Sequence, residues 1–241
     1  MPSKKTYGDL GDACATAHAL DVIGDRWSLI VVRELMLGPR RFADLQSAVV
    51  GITPAVLTDR LRHLAETGVA EQVTLDDLAH TRAYRLTPWG RGLEDVMASL
   101  GRWAHGSPGF PVAGGRMTPD GAIVAMRTMT PAAPSAPRPV ELALELVDVR
   151  RPAAGVRRYR LRWRERSFEL TEGVADAPDA TVTGDATAWT GVVFGMVPLD
   201  VVEGEGALAV AGDRTALDPV LDLYRSVAGE IALAPVGGTS A

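Results

Sequence analysis

Residues 51–72, GITPAVLTDRLRHLAETGVAEQ, specify a helix with both ends fixed. Thr53 followed by Pro54 is a start signal. The hydroxyl can accept from a backbone N–H of the first turn, and proline suits the first helical position because its missing donor would have no partner there. Leu57, Leu61 and Leu64 recur at helical spacing and define a buried stripe. Gly68 closes the helix as its C-cap, and Ala70–Thr74 then reads as a strand. A helix with a known buried face also has a known outward face. Here that face carries Ala55, Thr58, Asp59 and Arg62, with Arg60 on a flank. It is small at the first turn, then polar and hydrogen-bonding. Charged faces are commonly just solvated, so the placement of the other charges decides what this one is for.

The neighbouring segments give that face a setting. Ala13–Ile23 has helical apolar spacing, and Asp25 is a candidate N-cap for a second helix, Arg26–Leu37, stopped by Gly38-Pro39. A short helix follows Arg41. RAYRLT pairs with Ala70–Thr74 as a hairpin, and Thr87-Pro88 starts a long helix to about His105. Four helices, a hairpin and a helix is the order of a winged helix-turn-helix domain. In that fold the N-terminal part of the second helix of the motif enters the DNA major groove. Ala55, Thr58 and Arg62 are then the candidates for the groove floor, Arg60, Arg40, Arg41 and Arg82 for phosphates, and Thr53 for a further DNA contact. Lys4-Lys5 can form a basic arm. Asp76-Asp77 in the hairpin turn works against phosphate, which leaves Arg82 as the expected wing contact.

Composition does not announce DNA binding. The 241 residues carry a net charge of −5. Up to His105 there are 12 basic and 13 acidic residues, so the case rests on where the charges sit. One cysteine, Cys14, excludes an internal disulfide framework and points to a cytoplasmic protein. With His18 it supplies at most two ligands, so no metal is expected. No apolar run is long enough for a membrane span, and the N-terminus lacks the apolar core of a signal peptide.

HGSPGFPVAGGRMTPD, residues 105–120, is dense in proline and glycine and marks a linker. The organisation expected is a DNA-binding and dimerisation domain over 1–105, a linker over 106–118, a second domain over 119–228 and a flexible tail over 229–241. The second domain opens with a helix, Asp120–Thr130. VELALELVD, VRRYRLRWR, SFELTEG, ATVTG and ALAVAGD follow as about five strands, expected to form an antiparallel sheet covered by helices. Asp185 is a candidate cap for a helix over ATAWTGVVFGM, and RTALDPVLDLYRSV closes the domain. Both halves taken together, the fold class is α+β. No catalytic constellation stands out. GEGALA (Gly204–Ala209) fits a relaxed dinucleotide-binding pattern, but its strand and helix context is reversed; P-loop, G-x-S-x-G and H-E-x-x-H motifs are absent. Neither an enzyme nor a cofactor is expected.

Two family resemblances add to this reading. Cys14 followed by ALDVIGDRWSLIVVRELMLGPRRFADLQ, then LTDRLRHL and the YRLT-x-x-G junction, resembles the HxlR-type winged-helix regulators over about residues 10–105. The resemblance implies a homodimer built largely from the N-terminal and last helices of the domain, and a pseudo-palindromic operator in double-stranded DNA. Some members sense oxidants or electrophiles through a cysteine at the Cys14 position, which makes Cys14 a redox candidate. PDATVTGD and GALAVAGD, each running from strand into helix, resemble the sterol carrier protein type-2-like domain over about residues 119–226. That fold implies an apolar tunnel for a hydrophobic small molecule, with Trp163, Phe168, Trp189, Phe194, Met196 and Tyr224 as candidate lining. The function expected is a homodimeric transcriptional regulator responding to such an effector. The alternatives are a small-molecule carrier that uses its winged helix only to dimerise, and a thiol switch at Cys14.

Overall fold

A computed structural model of the chain describes residues 5–78, 80–107, 109–110 and 114–233, with side chains as far as 227. Lys4 of the expected basic arm and residues 234–241 of the expected tail lie outside these. The chain divides into two compact units, one ending at Met97 and one beginning at Ala98.

The first unit holds α1 (Ala15–Ile23), α2 (Ser28–Leu35), β1 (Arg40–Arg41), α3 (Phe42–Ala48), α4 (Pro54–Glu66), β2 (Ala70–Thr74), β3 (Arg82–Leu86) and α5 (Pro88–Arg91). The next helix, α6 (Leu93–His105), spans the division. Leu57, Leu61 and Leu64 are at most 1% exposed and pack with Val31, Val32, Leu35, Leu45 and Val69. Each such side chain stabilises the unit by roughly 1.5–3 kcal/mol relative to exposure.

The ends of α4 follow the sequence signals. Thr53 Oγ1 accepts from Val56 N–H. At the other end Gly68 N–H donates to Ala65 O and Val69 N–H to Leu64 O, with Gly68 at φ +77°. That paired closure needs a left-handed residue, hence the glycine.

Three local expectations change. Asp25 does not cap α2; its carboxylate accepts from Trp27 N–H and its carbonyl from Ser28 N–H, so a turn intervenes and the helix starts at Ser28. The long helix from Pro88 is two helices. Gly90 lies so close to the hairpin that a Cβ there would stand 2.0 Å from Val69 O. Thr87 Oγ1 meanwhile caps α5 and also bonds Gly68 O. These anchors hold the first turn on the hairpin, and α6 restarts at Leu93. Arg40 and Arg41, read as the approach to a helix, form strand β1. It pairs antiparallel with β3, Arg40 opposite Tyr84 and Arg41 opposite Ala83, giving a sheet of order β1-β3-β2.

The second unit contains α7 (Pro119–Met129), β4 (Val140–Val147), β5 (Arg157–Arg164), β6 (Ser167–Glu172), β7 (Ala180–Asp185), α8 (Ala186–Val193), α9 (Leu199–Gly204), β8 (Leu208–Gly212) and α10 (Asp218–Leu233). The five strands lie in the order β6-β5-β4-β7-β8. All neighbours are antiparallel except the central pair β4 and β7, which run parallel with Leu144 opposite Val182. The sheet is therefore mixed rather than purely antiparallel. Alternation sorts its two faces. Val140, Leu142, Leu144 and Leu146 of β4 are buried with Tyr159, Leu161 and Trp163 of β5. The opposite face carries charge pairs such as Arg158 with Glu145 (3.0 Å) and Arg162 with Glu141 (3.0 Å). Asp185 caps α8 as expected, accepting from Thr187 N–H at 2.6 Å and Ala188 N–H at 2.9 Å. The closing helix α10 runs on to Leu233, into the segment read as a tail.

Candidate nucleic-acid interface

The buried leucine stripe of α4 leaves Thr53, Pro54, Ala55, Val56, Thr58 and Arg62 exposed. Thr58 Oγ1 donates its proton to Pro54 O at 2.8 Å. With that donor used, the hydroxyl faces outward only as an acceptor.

Arg60 and Arg62 differ more than their spacing suggests. Asp59 binds both through its two carboxylate oxygens. Arg60 also reaches Asp25 at 3.5 Å, and its side chain is only 19% exposed. Arg62 is 64% exposed, with Glu66 as its other acid at 3.9 Å. The hydrogen bond from Arg60, aided by the charges of Arg60, Arg62 and His63, holds the Asp59 carboxyl below the usual carboxylate range. Sequence reading missed His63 as an anchor. Its Nε2 sits 3.2 Å from Asp21 O and 3.1 Å from Val22 O, tying α4 to the end of α1. No spacing rule points to this contact, because it joins residues about 40 apart.

The wing resolves the expected conflict of charges in an unexpected way. Asp77 accepts from Thr81 N–H at 2.9 Å and pairs with Arg41 at 2.6 Å. Chiefly the Thr81 bond, with help from Arg41, keeps its carboxyl below the usual range. One wing carboxylate is thereby neutralised, and Arg41 is committed to it. Arg40 is partly buried on β1. Arg82 is exposed and makes no ion pair among the described residues. His80 and Leu78 lie exposed at the hairpin tip, His80 with φ +46°.

Outside the reading face, α6 exposes Val96, Leu100 and Trp103 at spacings of four and three, Trp103 at 79%. Cys14 is exposed at the N-cap of α1. Backbone N–H groups of Ala17 and Thr16 draw its thiol below the ordinary value.

In the second unit, four of the six proposed lining residues form a chain of rings. Trp163 meets Phe168 (5.6 Å between centroids), Phe168 meets Tyr224 (6.4 Å) and Tyr224 meets Phe194 (5.6 Å). Trp163, Tyr224 and Phe194 are buried. Tyr224 O–H lies 2.8 Å from Thr130 Oγ1 and donates to Met126 O, and burial pushes its phenol up. Trp189 is fully buried and its indole N–H has no acceptor among the described residues, whereas Met196 is 52% exposed and joins neither. No group of three or more His, Cys, Asp or Glu among the described residues can hold a metal ion. No helix among them is long and apolar enough to cross a membrane.

A buried three-helix core, a capped helix with a free polar N-terminal half and a hairpin tied back through β1 define a winged helix-turn-helix protein. The chain belongs to the HxlR-like helix-turn-helix family, a family of non-catalytic DNA-binding regulators, whose model matches residues 22–107. An uncharacterised HTH-type transcriptional regulator of Mycobacterium tuberculosis is 36% identical over 89 residues, covering 37% of this chain and 56% of that one. The chain thus spans little more than half the length of the mycobacterial relative. Another such regulator, YdeP of Bacillus subtilis, is 32% identical over 94 residues, 39% of this chain and 73% of that one. Among solved structures, the reduced form of the transcriptional regulator YodB from B. subtilis is similar at 27% identity, with a TM-score of 0.36, over 43% of this chain and all of that one.

Proposed function

We propose that this HTH-type regulator acts as a homodimer on a pseudo-palindromic operator and answers to a hydrophobic small molecule held by its C-terminal unit. The observation that carries the DNA reading is the first half of α4, held from beneath by three buried leucines and open above. Ala55 lets the helix approach the groove closely, Thr58 offers an acceptor to a base amino group, and Arg62, on leaving Asp59, reaches a guanine edge. Arg82, exposed on the wing, serves the phosphates, and Arg40 of β1 is a further candidate. Arg60 and Arg41 do so only by leaving Asp59 and Asp77. Homodimer formation is supported by the exposed apolar stripe Val96, Leu100 and Trp103 of α6 and by Leu20 of α1, 48% exposed. Exposed apolar side chains of this kind are what a second copy would cover. The C-terminal unit, with helices on one side of a five-stranded sheet, suits the sterol carrier protein type-2-like reading of an effector domain.

Binding of duplex DNA across a salt series, with native protein and an Arg62→Ala variant, tests this. Phosphate contacts give a steep fall of affinity with salt. Loss of Arg62 should cost about 1–3 kcal/mol on the operator and relax specificity at one position. Salt-independent or absent DNA binding would favour the carrier reading instead. A second reading, a thiol switch, is favoured by the exposure of Cys14 and its lowered thiol pKa. Its test is operator binding by Cys14→Ser under oxidant, which should then no longer respond.

A further inference from the structure

The central parallel pair of the sheet creates a crevice that none of the six aromatic and sulfur candidates lines. Beyond Val147 the chain leaves β4 towards β5 on one side, while beyond Asp185 it leaves β7 through α8 towards β8 on the other. Connections that part in this way open a gap outside the carboxyl ends of parallel strands, where ligands of open sheets commonly bind. Here the gap is a cavity of about 590 Å³, within the roughly 300–1,000 Å³ of small-molecule sites.

Its walls are mostly apolar: Val147 at the end of β4, Ala188 in the first turn of α8 and Val202 of α9. Met117 N–H donates to Thr187 Oγ1 at 3.1 Å, which seats the segment before α7 on α8 and brings Arg116 to the rim. Three charged side chains line the cavity: Arg116, Asp185 and Glu205. Arg116 Nη1 stands 4.0 Å from Asp185 Oδ2, so these two offset each other. Glu205, at the C-cap of α9, is exposed and has no ion-pair partner among the described residues. An apolar cavity with one uncompensated carboxylate at its edge selects a ligand of the opposite sign.

We propose that this crevice takes a hydrophobic amine, its apolar body against Val147, Ala188 and Val202 and its ammonium group at Glu205. The inference rests on the effector reading of the C-terminal unit and gives that reading a place and a ligand class. The ammonium keeps contact with water at the rim while the chain leaves it. A carboxylate of the same length meets Glu205 as a like charge, and an alcohol gains only the apolar part.

Nonylamine, nonanol and nonanoate, titrated calorimetrically into the full chain without DNA, test it. The expected order of affinity is amine, then alcohol, then carboxylate. Ala188→Phe fills the crevice and should weaken amine and alcohol at least about tenfold, as added volume does in a fitted apolar pocket. Glu205→Gln should leave alcohol binding alone and remove the preference for amine, roughly threefold at an exposed rim. Glu205→Gln alters only a surface charge, so it remains informative if Ala188→Phe fails to fold. Binding of the carboxylate equal to that of the amine overturns the proposal, as does amine binding indifferent to both substitutions. If the amine binds regardless of Ala188→Phe and also releases DNA, the effector reading survives and the crevice falls. Because heat is read without DNA, failure of the chain to bind an operator strikes the regulator reading alone.

Discussion

Replacing Asp59 with asparagine should make DNA binding tighter at low salt and steeper in its dependence on salt. Asp59 holds both arginines of the outward face of α4. Removing its charge does not free them equally. Arg60, 19% exposed, keeps Asp25 at 3.5 Å, whereas Arg62, 64% exposed, keeps only Glu66 at 3.9 Å. One cation is therefore released to phosphate, not two. One further phosphate contact steepens the plot of log affinity against log salt by about 0.9, a further loss of roughly threefold between 50 and 200 mM. The cost to folding is small, about 0.2–1 kcal/mol, because Asp59 is 45% exposed and solvent screens the pair. The sign with pH is definite. A carboxyl lowered in the folded state contributes fully above its unfolded value and loses that contribution as pH falls through its folded one. Near neutrality Asp59 is ionised and the comparison is clean. Fluorescence anisotropy of a labelled non-specific duplex, from 50 to 200 mM salt, measures the slope. Equal slopes for native and Asp59→Asn protein would refute the idea that Asp59 withholds Arg62 from phosphate.

Three other outcomes are expected. Gly90→Ala places a Cβ 2.0 Å from Val69 O, a backbone atom that cannot step aside alone; a loss of about 1–3 kcal/mol in urea unfolding should follow, and an unchanged midpoint would mean that α5 moves freely off the hairpin. Leu100→Glu, on the exposed stripe of α6, should raise the dimer dissociation constant at least about tenfold by sedimentation, since an unpaired carboxylate in an interface costs several kcal/mol. A mass unaltered by the change would put the dimer contact elsewhere. Alkylation of Cys14 by iodoacetamide should reach half its plateau rate at a lower pH than a free thiol, because the first-turn N–H groups of α1 stabilise the thiolate. A midpoint at or above that of an unstructured cysteine would remove the physical basis for a thiol switch.

Local signals marked α4 almost to the residue. Thr53-Pro54, the leucines and Gly68 act within one helix, so their consequences are written in neighbouring positions. The same holds for the caps Thr87 and Asp185 and for the two faces of the sheet strands. Signals that need a partner were incomplete. Asp25 has the chemistry of a helix cap, but Trp27 takes its carboxylate. Arg41 has the charge of a phosphate contact, and its pairing with Asp77 of the wing is not written in any spacing. Four of the six residues chosen for a tunnel come together, Trp163, Phe168, Tyr224 and Phe194; sequence does not say which role they take, because an apolar side chain reads alike whether it fills a core or lines a cavity. The crevice at Val147 and Ala188 carries no signature, since valine, alanine and a lone Arg and Glu are ordinary in any segment.

The sequence by itself determined most of the elements, the caps at Thr53, Gly68 and Asp185, the buried faces and the membership of the first half in a winged-helix family, because each depends on spacing along one stretch of chain. Tertiary structure alone decided which strands are neighbours, that β4 and β7 run parallel, that Arg40 and Arg41 form a third strand, and that Arg41 pairs with Asp77 and Arg60 with Asp25. Those outcomes depend on groups as distant in the chain as Arg40 and Tyr84, or Leu144 and Val182, arriving side by side. Distance in space is a property of the packed chain, and periodicity does not encode it.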